Sequence, residues 1–362
     1  MPLFAAPAGC TTSWPEWEAF KKSFISEDGR VVDGNTEALM TTSEGQAYAM
    51  FFSLVANDRQ TFGRLLNWTE NNLAEGDLAS RLPAWAWGKG DGGEWGVLDE
   101  NSASDADLWM AYALGEAGRL WGERRYVALS SIVANRILEN ETRNVGGLGV
   151  VLLPGASGFT EGDNAVRLNP SYVPLPLMRW FAVRSRDSRW SSLLDSSLRL
   201  IVESAPKGYA PDWVVYENGK GFVFDADDKK LGIGSYDAIR VYLWAGMLNR
   251  DDANYPPLLK ALRPMAEFAV RHGYPPESVD VTTGRAGEPG SSGFSAAVVP
   301  FLLAAGLNEA LGKQLQRIEA QPVAGDAYYD QVLSLYALGW YNGLYRFGPD
   351  GNLTPRWMST CQ

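Results

Sequence analysis

Apolar residues recur along most of the chain at spacings of three and four, the period that lays one stripe of an α-helix against a core. Residues 41–58 show it clearly. Ala47, Met50, Phe51 and Leu54 fall at i, i+3, i+4 and i+7, and Glu44 stands at the top of the same stripe, aimed inward. Ser43 followed by Gln46 predicts a capping box at the start of this helix. The pattern then repeats in pairs: 41–58 with 61–72; 104–121 with 124–140, split at Gly122; 170–184 with 190–203, split at 186–188; 235–248 with 255–272; and 295–305 with 307–320, split at Gly306. A last helix over 326–341 has the N-terminal helix, 14–24, as its partner across the chain ends. Helices joined by so short a turn pack antiparallel.

The connections are of two kinds. Short turns close each pair, whereas the long segments 73–103, 145–169, 205–234 and 273–293 each lead into the first helix of the next pair. If the pairs stand side by side in a ring, the first helices run parallel and their N-termini collect under the long loops. That asymmetry predicts an all-α fold, an (α/α)6 barrel of about twelve helices in six hairpins. Strand-like fragments at 150–153, 212–216 and 221–225 read as small hairpins inside the loops, and 75–101 as a loop rich in glycine and tryptophan.

With 46% hydrophobic residues in 362, the chain can bury one large core, and no break suggests a second domain. Residues 10–362 are read as one catalytic domain, preceded at 1–9 by the remnant of a signal peptide or a disordered N-terminus. A net charge of −11 without a basic cluster argues against nucleic acid and anionic membrane surfaces. No run of 18 apolar residues predicts membrane insertion. Cys10 and Cys361, near opposite ends, are either a disulfide suited to an exported protein or two free thiols.

The single histidine, His272, sits at the end of a periodic helix, where a solvated C-terminus explains it. Histidine-based nucleophilic schemes and metal clusters therefore lack their parts, and neither metal nor cofactor is expected. Gly146–Gly149 lacks the lysine of a phosphate loop. Carboxylates are left as the acid–base reagents. The starts of the first helices carry Glu44, Asp105, Ser171-Tyr172, Tyr236-Asp237, Gly293-Phe294 and, after Asp326, Tyr328-Tyr329. Ser104 and Asp107 predict a second capping-type start, and Arg240, three residues after Asp237, can pair with it and keep it ionised. Glycoside hydrolysis needs two acids in opposite protonation states. Alone, Glu44 reads equally as a first-turn acid stabilised by the helix dipole by ~0.3–1 kcal/mol, and a protonated Glu44 requires burial or neighbouring carboxylates to outweigh that dipole.

Ser43-Glu44-Gly45-Gln46, then 102–108 (SASDADL), then 235–240 (SYDAIR) together resemble glycoside hydrolase family 8, the inverting endo-β-1,4-glucanases. Arg81–Trp85, Asn169–Tyr172, Ala205–Tyr209, Gly293–Ala297 and the terminal cysteines are similar to the periplasmic cellulases that accompany bacterial cellulose synthase. The resemblance implies Glu44 as general acid, Asp237 as general base and Asp105 as the acid that holds the distorted sugar. It implies cellulose and cello-oligosaccharides as ligands, the cellulose synthase export complex as a partner, and a periplasmic or secreted location. Tyr48 and Ala106 depart from the family pattern, with no expected consequence for the chemistry. Trp85, Trp87, Tyr172, Tyr236, Tyr328 and Tyr329 are candidate sugar-binding rings beside Arg240, whereas Trp109, Trp121, Trp180 and Trp244 are assigned to packing. A xylan- or chitosan-cleaving glycanase and a cellulose-binding accessory protein are the alternatives; a polyuronate lyase is disfavoured by one histidine and the negative charge.

Overall fold

The computed structural model describes residues 13–162, 164–224 and 231–360. Cys10, Cys361 and the segment 1–9 lie outside the described residues. Six helices form an inner ring: α2 (Ser43–Ala56), α4 (Ser104–Trp121), α6 (Leu175–Arg184), α8 (Ala238–Met247), α10 (Ser292–Ala304) and α12 (Tyr328–Tyr341). Each packs on the next around the ring. The ring closes between α12 and α2, where Tyr336 packs on Phe51 and Phe52 with ring centres 5.4 and 4.6 Å apart. Outside it stand α3 (Arg59–Leu73), α5 (Arg124–Asn140), α7 (Arg189–Glu203), α9 (Tyr255–His272) and α11 (Asn308–Ala320). The sixth outer place belongs to α1 (Pro15–Phe24), whose Phe20 and Phe24 meet Tyr328 of α12. This is the expected (α/α)6 barrel.

The two rings differ in composition for a physical reason. Outer helices such as α7 keep one apolar stripe against the inner ring and expose the rest. Inner helices such as α2 and α8 are enclosed on all sides: every residue of α2 except Glu44 is buried, and so is every residue of α8. Trp109, Trp121, Trp180 and Trp244 are buried, as assigned. The barrel axis is filled: Tyr48, Phe51, Trp109, Trp244 and Tyr336 pack on one another with ring centres 4.9 to 6.0 Å apart. His272 lies exposed at the end of α9, its ring stacked 4.1 Å from Phe268.

Several local expectations need correction. The cap of α2 is Thr42, whose hydroxyl accepts from Gly45 N at 3.1 Å. Ser43 already lies inside the helix, and Gln46 is buried, accepting from Val31 N at 2.6 Å and donating to Thr69 Oγ1 at 3.0 Å. A glutamine with partners on other elements braces the preceding loop instead of closing a box. At α4 the cap position is Ala103 and Ser104 Oγ has no partner, so no capping-type start exists there either. The third inner helix starts late because Pro174 supplies no N–H and restricts the residue before it; Pro170–Tyr172 forms only a turn of 3-10 helix before α6.

The segment 75–101 is not merely a loop. It holds the hairpin β2 (Ala86–Lys89) and β3 (Trp95–Asp99), and β2 pairs antiparallel with β1 (Thr41–Thr42), immediately before α2. The fragment at 150–153 forms a small hairpin as expected, whereas those at 212–216 and 221–224 join a larger sheet. β4 (Thr142–Val145) pairs with β5 (Gly149–Leu152). β6 (Thr160–Glu161), β7 (Ala165–Leu168), β8 (Val214–Glu217) and β9 (Gly221–Val223) make a four-stranded antiparallel sheet. Leu168 lies opposite Val214 in this sheet, so Asn169 and Asp212 emerge from the same end of it, over the inner-helix N-termini. After α12 the chain adds an unforeseen hairpin, β10 (Tyr345–Phe347) with β11 (Leu353–Pro355), and the short helix α13 (Trp357–Thr360). The buried carboxylate of Glu116 fastens that tail, accepting from Leu353 N at 2.7 Å, Trp180 Nε1 at 2.7 Å and Arg119.

Candidate active site

Three acids from the starts of three inner helices meet under the long loops, and one guanidinium joins two of them, Asp105 and Asp237. Arg240, buried in the first turn of α8, places Nη2 at 2.7 Å from Asp237 Oδ1 and Nη1 at 3.0 Å from Asp105 Oδ2. The Asp237–Arg240 pairing is the one expected from their spacing; the bridge to Asp105 comes only from the fold. Asp237 Oδ2 also accepts from Asn169 Nδ2 at 3.0 Å, so both of its oxygens are aligned by donors. Asn169, in turn, is fixed by accepting from Ser171 N and Oγ. A cation and an amide thus fix the orientation of this carboxyl group.

Glu44 is the opposite case. Its Oε2 is sealed from solvent, and among the described residues it has no hydrogen-bond partner and no basic residue paired with it. Burial first, and then the charge of Asp105, pushes its carboxyl up to about 8, against the pull of its own backbone N–H and of Arg240. The helix N-terminus is therefore outweighed. Burial raises Asp105 too, but Arg240 opposes this at 3.0 Å, and Asp105 Oδ1 also accepts from Ala106 N at 2.9 Å. Of the two neighbouring carboxyls, the one without a cation keeps the proton.

Tyr48, assigned no role from its sequence context, lies at the centre of this cluster. Its hydroxyl accepts from Arg240 Nη1 at 2.8 Å and donates to Asp105 Oδ2 at 3.2 Å. Asp212 was missed as well. It stands outside α8 yet accepts from Ala238 N at 2.7 Å and Ser235 N at 2.8 Å, and bonds the Ser235 hydroxyl, thereby capping from another loop the helix that carries Asp237 and Arg240. Asn169 had one visible signal, its place in a stretch that carries the resemblance; Tyr48 and Asp212 had none.

The candidate binding rings divide. Tyr172 lies over the cluster, with the Arg240 guanidinium 5.6 Å from its ring centre. Tyr236 is 50% exposed, donates to Glu277 Oε1 at 2.5 Å, and packs 5.9 Å from Tyr329, whose hydroxyl bonds the Tyr236 carbonyl. Its hydroxyl is pushed up to about 12, first by the bond to Glu277. Trp85 is partly buried, and its carbonyl accepts from Ser43 N at 2.9 Å, tying the loop to the start of α2. Trp87 sits on β2 and stacks at 5.4 Å on Trp95, with the Arg30 guanidinium 4.4 Å from the Trp87 ring centre. Tyr328 turns its ring to Phe20 and Phe24 and lies so close to α2 that a Cβ at Gly45 would be 2.5 Å from its hydroxyl. It is packed rather than displayed. Two rings not singled out from the sequence join the set: Trp95, 48% exposed, and Trp213, parallel to Phe159 and 6.0 Å from Tyr172.

Residues 1–343 match the family model described as glycosyl hydrolases family 8. An endoglucanase of Escherichia coli (strain K12) is 49% identical over 358 residues, covering 99% of this chain and 95% of that protein. The crystal structure of an endo-1,4-D-glucanase from Vibrio fischeri ES114 is similar with a TM-score of 0.88 and 47% identity, covering 96% of this chain and all of that one. A cold-adapted family 8 xylanase shares the fold, with a TM-score of 0.68 at 17% identity over 93% of this chain and 90% of that one. With its acids at the starts of inner barrel helices and its relatives matched from end to end, this chain belongs to glycoside hydrolase family 8.

Proposed function

We propose that the protein is an endo-β-1,4-glucanase that cleaves internal bonds of cellulose-like chains with inversion, Glu44 serving as general acid and Asp237 as general base. The observation that carries this is the contrast in partners: Arg240 and Asn169 align both oxygens of Asp237, while the solvent-sealed, partnerless Oε2 of Glu44 belongs to a carboxyl that burial keeps protonated. In such a reaction Glu44 donates to the glycosidic oxygen as the bond breaks. Asp237 takes a proton from the water that attacks the anomeric carbon from the opposite face. Asp105, held by Arg240 and Tyr48, accepts a sugar hydroxyl beside the scissile bond and keeps its charge near the developing oxocarbenium ion. Trp87, Trp95, Tyr172, Trp213, Tyr236 and Tyr329 supply flat apolar faces for glucose rings.

The names of the Escherichia coli and Vibrio fischeri proteins, an endoglucanase and an endo-1,4-D-glucanase, support the glucan as substrate. Export to the periplasm and work beside a cellulose synthase complex rest on the sequence resemblance alone; cell fractionation with co-purification of the synthase tests both. For the reaction, a panel of soluble cellulose derivative, xylan and chitosan is digested while NMR follows the first-formed anomer. Cleavage of the cellulose derivative to α-anomers, abolished in Glu44→Gln with the fold intact, is the expected result. A β-anomer first, or undiminished turnover by Glu44→Gln, overturns the assignment. Binding of glucan without turnover would instead leave an accessory role.

A further inference from the structure

Behind the catalytic cluster lies a second pair of acids that the proposed reaction does not use. Asp107 is in the first turn of α4, two residues beyond Asp105, and Glu141 follows the last turn of α5. Both side chains are completely buried. Among the described residues Asp107 Oδ1 and Oδ2 and Glu141 Oε2 are buried oxygens without a donor, and the two carboxyls act on one another at close range. Carboxylate oxygens only accept, so two such groups can satisfy one another only with a proton between them. The remaining oxygen, Glu141 Oε1, accepts from Ser102 Oγ at 2.5 Å, and Ser102 Oγ accepts from Ala156 N at 3.1 Å. The backbone around them is tied in as well, with Leu153 N donating to Glu141 O at 2.7 Å and Ser104 N to Pro154 O at 3.0 Å. Everything on which the start of α4 rests, residues 102–104, 153–156 and the end of α5, thus converges on these two side chains.

We propose that Asp107 and Glu141 share a single proton as a carboxylic acid–carboxylate pair, and that this pair positions Asp105 by fixing the start of α4. Among the described residues no cation is paired with Glu141, and the groups that bear on it are Ser102, Asp107 and Asp105. The charges that bear most on Asp107 are Glu141, Asp105 and Glu44, all acids. Loss of the shared proton would put a second buried negative charge among them, which burial strongly opposes. Burial raises both groups, Glu141 up to about 8. Both are positioning residues, since neither touches the reacting atoms. The inference rests on the placement of Asp105 in the active site, but its first test does not involve activity.

Unfolded carboxyls are ionised at neutral pH, so the shared proton is released on unfolding. Stability therefore falls as pH rises from the ordinary carboxyl range toward about 8. Denaturant unfolding of the full chain at closely spaced pH values between 6 and 8 counts that proton. Asp107→Asn and Glu141→Gln, whose amides donate to the remaining carboxylate, should each lower the count by about one relative to the native protein. An unchanged count in both overturns the shared proton. Positioning is read from kinetics on the soluble cellulose derivative. Asp107→Asn should hold kcat within about threefold, because the hydrogen bond survives. Asp107→Leu, or Asp107→Ser if the leucine variant does not fold, should lose about 30-fold or more in kcat with little change in KM. Full activity in the variant that breaks the contact overturns the positioning role. Glu44→Gln also lowers the proton count but abolishes turnover, so failure of the pair and failure of the acid assignment give different results.

Discussion

One guanidinium pairs with two of the three acids of the site. Arg240 reaches Asp237, Asp105 and the Tyr48 hydroxyl at once and leaves Glu44 unpaired, so burial keeps the proton on Glu44. A general acid must be protonated to act, so kcat/KM should be lost as pH rises through about 8, the value to which burial pushes Glu44. A pH–rate profile of the native enzyme on a short soluble glucan checks this. Asn169 is the other alignment device on the base. Asn169→Ala should lower kcat by about 10- to 100-fold with a small change in KM, since it leaves Asp237 charged but free to turn; steady-state kinetics separates the two effects. At this scale the sequence was informative where a residue's role follows from its own helix. Glu44 and Asp105 in first turns, and Asp237 three residues before Arg240, were all legible. Tyr48 was not, because its role is defined by Arg240, 192 residues away, and its position on an apolar stripe reads as packing.

At the scale of elements, the helices were legible and only some of their ends were. The boundaries expected at 104–121, 124–140 and 255–272 agree with α4, α5 and α9, where unbroken amphipathic periods end at glycine or asparagine. The start of α2 was misread by one residue, since Thr42 and not Ser43 accepts from the first-turn N–H. At α8 the group that satisfies the free N–H donors is not local: it is Asp212, in the loop that leads into β8. Asp212→Ala should destabilise the protein by about 1–2 kcal/mol, the range for a lost helix cap, and also reduce activity by loosening the turn that bears Asp237. Urea unfolding combined with the rate on the cellulose derivative measures both. The β2–β3 hairpin was hidden by its glycines and its short strands, whose sides are too exposed to leave an alternating pattern.

For the whole molecule, the architecture followed from the asymmetry between short turns and long loops, which places every first helix's N-terminus at one end. The terminal hairpin and α13 did not follow, since they are held by distant contacts: Leu353 N to Glu116, and Trp357 Nε1 to Leu54 O at 3.0 Å. The filled barrel axis bears on how a polymer can be handled. Tyr48, Phe51, Trp109, Trp244 and Tyr336 occupy the space directly beneath the Tyr48 hydroxyl that joins Asp105 to Arg240. A glucan therefore cannot be threaded down the barrel from a free end; it has to lie across the mouth, and any bond along its length can then come to rest over Glu44. Solutions of a cellulose derivative should thin early in digestion, with viscosity falling well before reducing ends accumulate. Simultaneous viscometry and reducing-sugar assay would reveal a threading enzyme by the opposite order, short products appearing while the solution stays thick.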